Sequence, residues 1–277
     1  MNGRVDLHVH TTASDGQFSP AEIVHQALEI GLEAIAITDH DTVDGVSEAL
    51  QAARGTPLEV IPGVELSALD SKTEVHVLGY YVNHYHQRLR DTLDRLRDSR
   101  LQRARRILTR LARMGMPLDW DDVQRSAGQG VIGRPHISLA MLEHGYVSTV
   151  AEAFDLYIGR GRPAYAERYK LLPADAVRAI MEAGGLPVLA HPLEIAHLIP
   201  ALVESGLRGL EAYYPRYAPD ETEFLLRMAG KHALVATGGS DFHGTDILPG
   251  HDLGSVPVPY QAVEQLRTCH RASHGAA

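Results

Sequence analysis

Short apolar runs alternate with helix-period stretches along most of this chain. Val5 to His10 is the first run. A helix signature follows it, with Ser19 as N-cap, Pro20 at the first helical position and Glu22 closing a capping box. Ile23, Ala27, Leu28 and Ile30 supply one apolar face, and Gly31 ends the helix. The run Ala34-Ile35-Ala36-Ile37 is short and wholly apolar, as a strand buried on both faces of a parallel sheet should be. A helical stretch at about 44–54 leads to a strand over 58–66, broken by Pro62-Gly63, and then to a strand over 75–82. Further on the alternation resumes: helix 173–183, strand 186–192, helix 195–205, strand 207–213, helix 219–230, strand 233–238 and a last helix over about 260–271. Seven strands alternating with helices predict a parallel sheet covered by helices.

The rhythm breaks between residues 88 and 165. Leu89, Leu93, Leu96, Leu101, Ala104, Ile107, Leu108, Leu111 and Met114 fall at helical spacing, which predicts one long amphipathic helix. Short helical patches punctuated by Arg134-Pro135 and by Gly159-Arg160-Gly161-Arg162-Pro163 follow it. Residues 88–165 therefore read as a helical insert, and 1–87 with 166–277 as the β/α domain.

Charge sharpens this division. The segment from Arg88 to Arg113 holds ten arginines and three aspartates, and the rest of the chain has 16 basic against 32 acidic residues. The arginines read first as a solvated helix face with pairing of the Asp91 to Arg95 type, and otherwise as a steering field for a polyanion. A net charge of −9 with 16 histidines and three lysines suits a metalloenzyme better than a nucleic-acid coat protein. A single cysteine, Cys269, excludes an internal disulfide and a thiolate metal cage. No apolar run is long enough to cross a membrane, and the first strand begins too early to leave room for a leader. A cytoplasmic protein with no evident protein partner is the expectation.

The candidate chemistry sits at the ends of the strands. His8 and His10 are two positions apart on a strand and so point the same way, with Asp15 returning from the loop. The later strands carry or run into His40, Glu65, His76, His191, and Asp241 with His243. Each has a bland alternative: a packed strand histidine for His76, a helix cap for Glu65, a closed turn at His191-Pro192. Jointly those alternatives require a ligand type at nearly every strand end by accident. Ligands from so many strands converge only if the sheet closes, so a barrel of seven or eight strands is preferred to an open sheet. Six imidazoles and three carboxylates exceed the needs of one ion and fit two or three divalent ions. Nitrogen and oxygen ligands without sulfur suit Mn²⁺, Fe²⁺ or Zn²⁺. Asp39 and Asp41 flank His40 and are expected to orient it.

Five motifs carry a resemblance. Asp6-Leu7-His8-Val9-His10-Thr11 with Ser14-Asp15-Gly16, Thr38-Asp39-His40-Asp41-Thr42, Pro62-Gly63-Val64-Glu65, Ala190-His191-Pro192 and Gly239-Ser240-Asp241-Phe242-His243 resemble the PHP (polymerase and histidinol phosphatase) family, in order and over nearly the whole chain. The resemblance implies a distorted (β/α)7 TIM-like barrel with two or three metals. It implies that His8, His10, Glu65 and Asp241 hold one ion, Asp15, His40 and His243 a second, and Glu65, His76 and His191 a third. Some relatives have histidine where this chain has Asp15; the harder carboxylate favours Mn²⁺ or Fe²⁺ over Zn²⁺.

Gly133-Arg134-Pro135-His136 and Gly159-Arg160-Gly161-Arg162-Pro163-Ala164-Tyr165 resemble the branch of that family acting on 3′,5′-nucleoside bisphosphates and on short RNA. A phosphate dianion needs fixed cations, and arginine offers a matched planar fork. Arg134 and His136 are the expected substrate contacts, with Arg160, Arg162, Arg168 and Lys170 behind them. Tyr213 or Tyr214 is expected to pack in the core, with base stacking as the alternative. The expected reaction removes the 3′-phosphate of a bisphosphate such as 3′,5′-adenosine bisphosphate. The nucleophile is a hydroxide bridging two metals, Asp241 assists it, and His191 or His136 protonates the leaving oxygen. The rivals are a 5′→3′ exoribonuclease, a histidinol phosphatase and a non-catalytic metal- or nucleotide-binding module.

Overall fold

The computed structural model describes residues 4–71, 73–127, 132–167, 169 and 171–274. Arg168 and Lys170 lie outside the described residues. The strands are β1 (Arg4–Val9), β2 (Ala34–Ile37), β3 (Glu59–Asp70), β4 (Thr73–Tyr80), β5 (Leu186–Leu189), β6 (Gly209–Tyr213), β7 (Val235–Gly238) and β8 (Val258–Pro259). The helices are α1 (Pro20–Glu29), α2 (Val46–Ala52), α3 (Gln87–Arg113), α4 (Trp120–Ala127), α5 (Arg134–Glu143), α6 (Val150–Ala153), α7 (Pro173–Glu182), α8 (Ile199–Glu204), α9 (Pro219–Lys231) and α10 (Gln261–His274).

The chain forms two compact units, Met1–Thr92 with Leu171–Ala277, and Leu93–Lys170. Both divisions fall five residues later than the sequence pattern suggests. At the first, Arg88 on the opening turn of α3 bonds Glu182 of α7, within the first unit. At the second, Ala166 and Glu167 give their carbonyls to Arg103 and Arg106, within the second unit.

In the first unit the strands form one eight-stranded sheet, ordered β7-β6-β5-β4-β3-β2-β1-β8. It curls into a nearly closed α/β barrel. Beyond β7, Phe242 bridges Val9 of β1, and the His10 N–H donates to the Phe242 carbonyl at 2.9 Å. Gly239 permits this approach, because a Cβ there would lie 2.4 Å from the His8 backbone nitrogen. The predicted capping box opens α1: Glu22 N–H donates to the Ser19 hydroxyl and Ser19 N–H to the Glu22 carboxylate. Such a cap stabilises a helix by about 1 kcal/mol. Val5, Leu7, Ile61, Leu78, Val188 and Leu266 of α10 share one core cluster. Full burial of each such side chain contributes roughly 1.5–3 kcal/mol relative to exposure.

The sheet is mixed rather than wholly parallel. β4 runs antiparallel to both β3 and β5, and β8 antiparallel to β1. Only two residues separate Asp70 from Thr73, too few for the crossover a parallel pair needs, so the chain turns straight back. β8 is two residues long and carries no periodicity. Pro62-Gly63 does not break β3. Pro62 pairs with Ile37 and Gly63 with Tyr80, and the missing side chain at Gly63 leaves room for the Ile37 carbonyl, 2.7 Å from where a Cβ would stand.

The second unit has its own apolar core. Ala104, Ile107 and Leu111 of α3 cluster with Val123 of α4 and with Ile137 and Met141 of α5. The arginines of α3 lie largely on its exposed side. Arg97 pairs with Asp94 at 2.6 Å, while Asp91 accepts from Gln87; the Asp91–Arg95 pairing does not form.

Candidate metal centre

β1 is buried along nearly its whole length, and His8 and His10 have no exposed surface. Their rings lie 5.1 Å apart. The hub of the cluster is Glu65, well inside β3 and 1% exposed. Its Oε2 lies 2.8 Å from His40 Nδ1, 3.3 Å from His10 Nε2 and 3.4 Å from His8 Nε2. Its Oε1 lies 2.9 Å from His76 Nδ1 and 3.5 Å from His191 Nε2. One carboxylate thus faces five imidazoles. Asp241, after β7, sets Oδ1 at 3.2 Å from His10 Nε2 and 3.3 Å from His8 Nε2. Asp15 lies 3.4 Å from His243 Nε2 and 3.7 Å from His10 Nδ1.

All nine candidate ligands named from the sequence therefore meet in one cluster, although Glu65 and His76 lie inside β3 and β4 rather than at their ends. Three subsets bring ligand atoms within 4.8 Å of one another: His8, His10 and Glu65; His10, Asp15, His40 and His243; and His40, Glu65 and His76. The subsets share His10, His40 and Glu65, as a centre for more than one ion would. His191 joins the third through His76, 3.2 Å away.

The donor set fits metal ions on a direct observation. His8 Nε2, both nitrogens of His10, Asp15 Oδ1, His40 Nδ1 and both oxygens of Glu65 are buried without a hydrogen-bond partner. Buried polar atoms in native proteins are almost always bonded. Seven orphans converging on one spot mark a place for cations, and the clusters suit several divalent ions.

Electrostatics carries the same signature. Burial penalises the charged form of Glu65, but the imidazoles of His40, His76 and His8 outweigh it and hold the carboxyl well below its usual range. Asp15 and Asp241 are likewise depressed, burial again being outweighed by facing histidines. For His10, burial opposes protonation, yet Asp241 and Glu65 raise its pKa to about 10. Burial also opposes protonation of His8, and Asp241, Glu211 and Glu65 raise it well above the ordinary value. His40 is lowered, chiefly by burial. The rise at His8 and His10 reflects the carboxylates around them, a negative field that bound cations would also offset.

Other residues hold this arrangement, and Glu211 and Asp6 among them were not read from the sequence as parts of the site. Glu211 on β6 is fully buried and bonds His8 Nδ1 at 3.0 Å. Its signal was a lone carboxylate in the run Leu210-Glu211-Ala212, since such a group is almost never buried unless paired. Asp6 accepts from the backbone N–H groups of Ser240 and Gly254 at 2.9 and 2.8 Å, tying β1 to the loop that carries Asp241. Tyr214 is not a core residue: its hydroxyl donates to Asp241 Oδ2 at 2.7 Å. Burial, then the charges of Asp241 and Glu211, push its ionisation far up, so it keeps its proton. Tyr213 packs against the core cluster. Asp39 holds the loop after β1 rather than His40, accepting from the Thr11 N–H, the Thr11 hydroxyl and the Ser14 hydroxyl at 2.6–2.8 Å. Asp41 accepts from Ser67 N–H at 2.8 Å. His191, Asp241 and Asp41 adopt positive φ of 30°, 54° and 52°, a left-handed strain typical of functional sites.

The expected substrate contacts belong to the second unit. Arg134 opens α5 with its guanidinium over the Phe154 ring, 5.3 Å from the centroid. His136 is buried, and its Nδ1 accepts from the Gly133 N–H at 3.0 Å, which puts the proton of the neutral ring on Nε2. Arg160 and Arg162 are exposed. Among the described residues, no helix is long and apolar enough to cross a membrane.

Comparison with known proteins follows the same lines. A family model, the PHP domain, matches residues 6–156. The chain is 34% identical over 273 residues to the 5′-3′ exoribonuclease Rnm of Escherichia coli strain K12, covering 94% of this chain and 92% of that one. It is 30% identical over 268 residues to the 3′,5′-nucleoside bisphosphate phosphatase of Chromobacterium violaceum, covering 92% and 94%. A solved structure from Bifidobacterium adolescentis, provisionally described as a metal-dependent phosphoesterase, superposes with a TM-score of 0.86 at 32% identity, covering 97% and 96%.

Proposed function

The chain belongs to the PHP domain family of metal-dependent phosphoesterases, and on that premise we propose that it hydrolyses the P–O3′ bond of 5′-phosphorylated nucleotides. Its substrate in this reading is a 3′,5′-nucleoside bisphosphate such as 3′,5′-adenosine bisphosphate, and its products are a 5′-nucleotide and phosphate. The observation that carries the reading is the set of seven orphaned buried ligand atoms around Glu65.

Two or three divalent ions, Mn²⁺ by preference, would be held by His8, His10, Asp15, His40, Glu65, His76, His191, Asp241 and His243. Such ions lower the pKa of water toward neutrality and neutralise charge building on the phosphoryl oxygens. The protein's own groups do the rest. Tyr214 fixes Asp241 through Oδ2, so that Oδ1 faces His8 and His10. Asp241 is the group we assign to receive the proton of the attacking water. His191 and His136 are the candidate donors to the leaving 3′-oxygen. Arg134 and Arg160 are proposed as phosphate contacts, because their forked guanidinium matches a phosphate dianion; Lys170 is a further candidate.

A second reading is a 5′→3′ exoribonuclease on short RNA, favoured by the 34% identity to the Escherichia coli enzyme. The two readings share one event at phosphorus. A bisphosphate carries a terminal phosphate on O3′, whereas an oligonucleotide carries the next nucleotide there. Phosphate release from 3′,5′-adenosine bisphosphate is therefore compared with digestion of a 5′-phosphorylated triribonucleotide, each with Mn²⁺ and with chelator. Faster Mn²⁺-dependent release from the bisphosphate is expected. A higher kcat/KM on the trinucleotide selects the second reading, and equal rates on histidinol phosphate remove the nucleotide assignment.

A further inference from the structure

Glu211 is a carboxylate with no exposed surface, and the reaction outlined above does not use it. Burial of an ionised carboxylate is costly unless hydrogen bonds and charge partners offset it. Its two oxygens go to two residues of the cluster whose rings lie 6.2 Å apart. Oε1 bonds His8 Nδ1 at 3.0 Å, and Oε2 accepts the backbone N–H of His191 at 2.8 Å.

Each bond has a chemical consequence. As a carboxylate Glu211 would only accept, which would leave the His8 proton on Nδ1. Its Nε2, 3.4 Å from Glu65 Oε2 and 3.3 Å from Asp241 Oδ1, is then the nitrogen turned toward the centre. The other bond falls on His191, held at φ 30° in a conformation that non-glycine residues keep only under constraint.

We propose that Glu211 is a positioning residue for the metal centre: it sets the tautomer in which His8 offers Nε2 to a divalent ion, and it pins the strained backbone that carries His191. The inference rests on reading the cluster as a metal centre. An amide in place of the carboxylate cannot serve both donors at once. With its oxygen toward His191, its NH2 faces His8 Nδ1, the ring proton moves to Nε2, and the lone pair that would bind an ion is gone. With its oxygen toward His8, its NH2 meets the His191 N–H, and the backbone restraint is lost.

The test titrates metal-stripped wild type and Glu211→Gln with Mn²⁺ in a calorimeter, with circular dichroism as the check on folding. The expected result is an affinity loss of roughly 10- to 100-fold in the variant, as for other groups that orient metal-bound histidines. Raising Mn²⁺ should recover kcat while the Mn²⁺ half-saturation stays shifted, which general destabilisation would not produce. Unchanged Mn²⁺ affinity in the variant, with normal uptake by wild type, overturns the role of Glu211 alone. A wild-type chain that takes up no divalent ion overturns both this inference and the metal centre. Should the variant not fold, the Zn²⁺-loaded wild type decides: nitrogen-edited NMR should find the His8 proton on Nδ1, and a proton on Nε2 refutes the proposal.

Discussion

The two units bury different things. Around its metal centre the barrel unit buries His8, His10, Glu65 and Glu211, each 1% exposed or less. The helical unit buries Ile107, Leu111, Val123, Ile137 and Met141, and Ser99, His136 and Ser138 each bond a backbone group there. There His136 caps α5 and Arg103 bonds the Ala166 carbonyl. Where buried polar atoms have local partners, they build the fold. Where they converge without partners, as around Glu65, the fold holds them for something else. The same contrast divides the carboxylates of the barrel. Asp6 and Asp39 are buried and raised in pKa, chiefly by that burial, and N–H and hydroxyl donors satisfy them. Glu65 is buried and Asp15 and Asp241 half-buried, and all three are lowered because imidazoles face them.

The sharpest way to break the comparison is to remove the orphans. Replacing His8 and His10 together by Ala should lower phosphoesterase activity by more than about 100-fold, exceeding the effect of residues that only orient ligands. A folded double variant with near-normal turnover would place the chemistry elsewhere.

A second test uses pH on metal-stripped protein. The His10 pKa rises from the ordinary 6.5 to about 10 in the fold, so its stabilising contribution is complete below 6.5 and is lost as pH climbs through about 10. His8 shifts the same way. Asp15, Glu65 and Asp241 are depressed, so their contribution is present above their ordinary values of 3.8, 4.5 and 3.8 and is lost as pH falls through the lower folded values. Metal-stripped protein should thus melt at progressively lower temperature from pH 6.5 toward 10. Saturating Mn²⁺ should abolish that alkaline decline, since ions replace the protons. Parallel melting curves with and without Mn²⁺ would count against the cluster.

The helical unit should respond to volume instead. Ile107→Ala should cost about 2–5 kcal/mol of stability in urea unfolding, by the usual price of a core cavity. A cost under 1 kcal/mol would mean that this core is not packed as described. Smallest of all, Asp94→Ala at the surface of α3 should change stability by no more than about 1 kcal/mol, as exposed pairs do.

The site was more legible in the sequence than the sheet. Nine ligand types on or after the strands could be named because strand periodicity and side-chain chemistry are both local. His8 and His10 share a face by their spacing alone, and Asp241 and His243 repeat that spacing after β7. The direction of β4 was missed because alternation alone does not reveal that the turn after Asp70 is too short for a crossover. β8 was missed because two residues hold no pattern. Glu211 shows locally only as a lone carboxylate in an apolar run; its partner His8 lies 203 residues away, so nothing nearby in the chain names what it bonds. Arg134, His136 and Arg160 are legible as a motif, and their assignment as substrate contacts rests on that motif.

By itself, the sequence determined the order of strands and helices apart from β8, the capped start of α1, the run of helices between β4 and α7 and the chemical types on or after the strands, because each depends on neighbours within a few residues. Only the tertiary structure decided which carboxylate faces which imidazole. It put Asp6 and Asp39 among N–H and hydroxyl donors, Glu65 among five histidines, and Glu211 between His8 and His191. The physical reason is that desolvation and Coulomb interactions depend on distances of a few ångströms between residues far apart in the chain, and barrel closure sets those distances.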